Sequence, residues 1–214
     1  YNISCNNNDW TSNNLTESDI SVDSPTNNFA TWNPLHIVTS NSPTFAEGNL
    51  QVTTPNNGAG NTVSTMGVTS GKWYAEVLPV SYTSLPRYNV AITGDAGGTI
   101  TANTNIGSLT SSFDVGYFFN GTKFVGNSET ASWGATYAAG DIMGIALNAD
   151  DNEVTFYKNN VSQGAISFTA GGTYHFAYGD VSAGGGGNTV GNFGQDSSFA
   201  GNKTAQGNQD GNSI

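Results

Sequence analysis

The chain has 214 residues, enough for one domain with an arm and too few for two ordinary ones. Only 10% of the residues are charged, Lys and Arg total 5, and the formal net charge is −11. Nucleic acids and anionic membrane surfaces call for a basic face, which five scattered cations do not make, so neither is expected as a partner.

Residues 1–31 are rich in Asn, Ser, Thr and Asp, with isolated apolar side chains, and have the composition of an extended arm or linker. The first residue is Tyr rather than Met, and the chain is expected to be one part of a longer polypeptide. Cys5, the lone cysteine, can form neither an internal disulfide nor a thiolate zinc site. From Trp32 onward short alternating runs appear, bounded by Gly, Asn and Pro. GNLQVTT (48–54) puts Leu50 and Val52 on one face. KWYAEVLPV (72–80) sets Trp73, Ala75 and Val77 against Tyr74, Glu76 and Leu78. YNVAIT (88–93), DVGYFFN (114–120) and TKFVGN (122–127) follow, then DIMGIALN (141–148), EVTFYKN (153–159) and TYHFAYGDV (173–181).

No run keeps a 3.6-residue period, and none approaches the ~20 apolar residues that cross a bilayer, so no membrane insertion is expected. The pattern predicts an all-β, two-sheet antiparallel sandwich over residues 32–200, followed by a polar tail at 201–214. Asn120-Gly121 suits a type I′ turn, and Asn159-Asn160 can replace it because Asn tolerates positive φ.

The stretch GDIMGIALNADDNEVTFYKNNVSQG (140–164) raises a chemical question through Asp150, Asp151 and Glu153. Met143, Ile145 and Leu147 alternate with Ile142, Gly144, Ala146 and Asn148, so the first strand has apolar residues on both faces, as expected of a strand between two layers. Val154 and Phe156 then point one way, Thr155 and Tyr157 the other. An EF-hand loop starting at Asp150 needs Gly at its sixth position, where Thr155 stands. The acids read as turn residues, and no metal site is assigned.

The same stretch resembles the central hairpin of SPRY domains. SGKWYAEV (70–77) and VGNFGQDSSF (190–199) resemble two further SPRY segments in the same order, so the resemblance spans roughly residues 44–200. It implies a concanavalin A-like jelly roll with an extended N-terminal arm. NNDWTSNNLTESD (7–19), SPTNNFATWNPL (24–35) and FGQDSSFAGNKTAQGNQDGN (193–212) are similar to stretches of structural proteins of marine bacteriophages. That narrower resemblance implies a tail-fibre or decoration component on the virion surface. Its partners would be other virion proteins or copies of itself, as in a trimer.

Catalytic devices are weakly represented. Sandwich-fold glycosidases need paired carboxylates on one strand face, whereas Glu76, Glu129 and Glu153 stand apart. His36 and His175 are the only histidines and no G-x-S-x-G elbow is present, so neither a nucleophilic triad nor a cofactor is expected. SAGGGGNTVG (182–191) lacks the G-K-[ST] of a phosphate loop and reads as an inter-strand loop.

Binding is expected in the loops. PVSYTSLPRY (79–88) carries Tyr82, Tyr88 and the only arginine, Arg87, and ETASWGATYAAGD (129–141) carries Trp133 and Tyr137. These residue types stack on sugars and anchor protein interfaces. Two outcomes stay open for Trp133 and Tyr137, exposure to a ligand or packing beneath their own loop. The function read from these features is a non-enzymatic structural and adhesive module, with recognition of a host-surface glycan as the alternative.

Overall fold

Strand formation follows side-chain alternation most directly in the hairpin of β9 (Met143–Asn148) and β10 (Glu153–Lys158). Met143, Ile145, Leu147, Val154 and Phe156 are all buried in one core, while Thr155 and Tyr157 face outward. Their turn works as the sequence implies. The Asp150 carboxylate accepts the Gly71 N–H at 2.8 Å, and Asp151 accepts from the Asn148 side-chain amide at 2.7 Å. Asn152 takes the left-handed conformation, with φ of 53°.

The structure is a computed structural model and describes residues 28–36, 42–55, 60–82, 88–94, 106–107, 114–170, 172–180 and 186–205. Two antiparallel sheets form a sandwich. The larger orders β1 (Thr44–Ala46), β2 (Gln51–Thr53), β13 (Gly187–Asn192), β4 (Lys72–Tyr82), β9, β10 and β11 (Val161–Ser167). The smaller orders β3 (Asn61–Val63), β12 (Tyr174–Asp180), β5 (Tyr88–Gly94), β6 (Val115–Phe118), β7 (Lys123–Val125) and β8 (Ser128–Thr130). Between the sheets lies an apolar core that includes Trp32, Val77, Ile92, Tyr117, Ile145 and Phe156.

A second, smaller core sits on the outer face of the seven-stranded sheet. There Phe199 is buried against Leu78 and Val190, with Ile142 and Leu50 packed alongside. Residues 201–205, read as tail, continue the turn that seats Phe199: the Lys203 N–H donates to the Ser198 carbonyl at 2.8 Å and its Nζ to the Gly140 carbonyl at 2.7 Å. Residues 28–31, read as arm, are likewise built into the sandwich, through Thr31 to Thr65 and through Gln195 to the Ala30 carbonyl. Residues 1–27, including Cys5, and residues 206–214 lie outside the described residues.

Three expectations change. Leu50 and Val52 do not share a face, because Glu47, Gly48 and Asn49 turn the chain with positive φ and send Leu50 to the outer core. In the pair Asn120-Gly121 only the glycine has positive φ (82°), and the Gly121 N–H donates to the Phe118 carbonyl. That is a three-residue connection with a glycine bulge rather than a type I′ turn. Asn159 and Asn160, with φ of 47° and 67°, do form the two-residue I′ hairpin. Finally, β9 has a facing layer on one side only; its outer face is covered locally by the Tyr74 ring and the Phe199 segment.

Two predictions follow from burial. Phe199→Ala empties the outer core and should cost about 3 kcal/mol, measured by denaturant unfolding; a loss below 1 kcal/mol would mean that the segment does not seat there. Asp114 is buried beside the Thr93 hydroxyl, and burial raises its carboxyl pKa from 3.8 to about 6. A raised acid pKa favours folding at low pH, and that contribution is lost as pH rises through the folded value. Asp114→Asn should therefore gain in melting temperature relative to the parent as pH rises from about 4 to 7. A pH-independent difference would contradict this.

Candidate functional site

The loop aromatics converge, but as core rather than as an open site. Ring centroids step from Tyr82 to Tyr88 at 6.1 Å, to Tyr137 at 5.5 Å, to Tyr117 at 5.3 Å and to Trp133 at 5.3 Å. Tyr88 and Tyr137 retain only 2% and 3% exposure, so they cannot offer a ring face to a ligand, and their binding assignment is corrected to packing. The Tyr137 hydroxyl donates to the Tyr117 carbonyl at 2.7 Å, and burial pushes its pKa well above the usual value. The Tyr117 hydroxyl, bonded to the Ala135 carbonyl, is raised by burial to about 12. Trp133 is half-buried, packed edge-on against Tyr117 and Phe156, with Lys123 Nζ 5.1 Å from its ring centroid. Tyr82 is 37% exposed, and Arg87 lies outside the described residues.

The loop that carries Trp133 and Tyr137 is pinned by Asp141. Its carboxylate accepts from the Ala138 N–H at 2.9 Å and the Asn159 amide at 2.7 Å, and pairs with Lys158 at 3.3 Å. Partial burial alone would raise its pKa; these bonds hold it below the usual carboxylate value.

Among the described residues the most exposed aromatic side chains lie elsewhere, at the start of β4. Trp73 is 47% and Tyr74 50% exposed, and Met66 beside them 36%. Trp73 shares a face with Ala75 and Val77 but stands beyond the edge of the core, its Nε1–H held by the Ser70 carbonyl at 2.7 Å. It opens onto a cleft of about 610 Å³ lined by Phe29, Met66, Val68, Phe176 and Phe193 among others. Tyr74 points to the opposite face of the strand, yet it also borders the 610 Å³ cleft; it lines two further clefts, one of about 290 Å³ shared with Trp73 and one of about 710 Å³. Adjacent aromatics in GKWYAEV were the available signal, since alternation puts one on each face of a strand end.

Among the described residues the carboxylates singled out for catalysis do not come together as a pair. Glu76 on β4 and Glu129 on β8 belong to different sheets. The Glu76 carboxylate is engaged by the Tyr74 hydroxyl and the Asn192 amide, each at 3.1 Å. His175 is a half-buried strand residue whose Nδ1 lies 2.9 Å from the Ser64 carbonyl oxygen. Among the described residues no cluster of three or more His, Cys, Asp or Glu side chains is placed to hold a metal. No described helix is long and apolar enough to cross a membrane.

No family model and no curated protein sequence matches the chain. Solved structures do. The SPRY domain of human HERC1 superposes with a TM-score of 0.63 at 17% identity, covering 77% of this chain and 99% of that one. A second human SPRY domain gives 0.57 at 16% identity, covering 72% and 96%. The TRIM65 PSpry domain gives 0.53 at 13% identity, covering 76% and 90%. At such identities the likeness concerns architecture, and the chain has the SPRY-like sandwich fold.

Proposed function

We propose that the chain is a non-enzymatic structural and adhesive module of a bacteriophage virion surface protein. It makes contacts with other virion proteins or with copies of itself, and with the host surface. The observation that carries the binding reading is Trp73, an exposed indole at the mouth of an apolar cleft, with Met66 beside it. Large exposed aromatic and Met side chains around a concavity are the residue types that anchor protein interfaces. The SPRY-like fold supports recognition rather than catalysis, because the SPRY scaffold serves protein interaction in many settings. The virion assignment is supported by the resemblance of residues 7–19, 24–35 and 193–212 to phage structural proteins, and by a composition poor in charge and rich in Asn, Thr and Gly.

Antibodies raised against this chain should decorate intact particles of the virus that encodes it. Trp73→Ala should reduce retention of the module on those particles about tenfold or more, the loss expected of one interface anchor. Label confined to disrupted particles would refute the surface assignment, and unchanged retention of the variant would remove Trp73 from the contact.

A further inference from the structure

Along the outer face of the seven-stranded sheet runs a trough that the loop-centred reading leaves unused. Register places Tyr74, Ala146 and Thr155 in one cross-strand row and Glu76, Gly144 and Tyr157 in the next. Its floor is the outward side of β9, where glycine and alanine leave the backbone low between flanking aromatics. Ala146 and Asn148 line the cleft on one side, Ile142 and Gly144 the cleft on the other, and the Tyr74 ring lies between them over Gly144.

Tyr74 is built as a platform. A Cβ on Gly144 would stand 2.4 Å from the Tyr74 hydroxyl oxygen and 3.1 Å from its ring carbons, so the ring lies against the glycine backbone and a side chain there would displace it. Its hydroxyl donates to Glu76 Oε1 at 3.1 Å, and Glu76 Oε2 accepts the Asn192 amide at 3.1 Å, which fixes ring and carboxylate together. Half of the Tyr74 surface remains open to solvent. The clefts on either side of the ring share it as a common wall.

We infer that this trough is a binding site for a neutral polysaccharide chain, with Tyr74 as the stacking platform and Glu76 as a hydroxyl acceptor. A flat aromatic face receives the apolar face of a sugar ring, and a fixed carboxylate with spare lone pairs accepts from its hydroxyl edge. The charges lining the two clefts balance, Lys72 and Lys203 against Glu76 and Glu153. With the chain as a whole at −11, an anionic polymer is disfavoured and an uncharged one is not. The site adjoins the Trp73 contact, with which it shares clefts, but it does not depend on the virion assignment, because the purified chain alone should show it.

Affinity electrophoresis of the chain in gels containing dextran, mannan, galactan or laminarin tests this, with anionic alginate as the charged comparison. At least one neutral polymer should retard the protein, and Tyr74→Ala should weaken that retardation about tenfold, equivalent to about 1.4 kcal/mol. Glu76→Gln should weaken it as well, while Tyr82→Ala, in the loop cluster, leaves it unchanged. Near-UV circular dichroism verifies that each variant is folded. Migration unaffected by all four neutral polymers, retardation by alginate alone, or undiminished binding by folded Tyr74→Ala would each overturn the inference.

Discussion

Trp32 donates its backbone N–H to the Asn49 carbonyl at 3.0 Å and forms a β-bridge with Ser64, while Asn33 donates to the Val63 carbonyl at 2.8 Å. Asn49 leads into the seven-stranded sheet and Val63 belongs to the six-stranded one, so the dipeptide Trp32-Asn33 ties both layers. The indole is fully buried, 4.9 Å from the Phe193 ring and 6.5 Å from Tyr178. A sandwich without an internal disulfide depends on filling the space between its sheets, and the largest side chain available is placed where the chain enters. Tyr88, Tyr137 and Tyr117, ring to ring, fill more of that space by the same logic.

The hairpin 140–164 was legible because its alternation is strict and both of its turns carry Asp or Asn. The all-β class and the order of eight strands follow from comparable runs. Less legible were strands with little alternation to display. β3 is three residues long and buried on both faces, and β11 is an edge strand in which only Ile166 is buried. The turn at Glu47–Asn49 escaped because positive φ at a glutamate has no sequence signature.

The candidate site was the least legible part. Tyr88 looked like a loop aromatic available for contact, yet folding turned it inward; for Tyr137, where exposure and packing both stood open, packing is the outcome. Burial of Tyr137 is inexpensive because its hydroxyl finds the Tyr117 carbonyl. Trp73 and Tyr74 looked like ordinary members of an alternating strand. Their exposure depends on where the core ends, a property of the assembled layers rather than of the local sequence. Gly144, likewise, reads in one dimension as a weak spot in a strand and in three as the seat of the Tyr74 ring.

Asn28 lines the cleft on one side of Tyr74, and Thr204 lines a cleft on the other. Two segments from opposite ends of the sequence therefore share their clefts with one aromatic ring, and a change at Tyr74 would reshape both clefts at once.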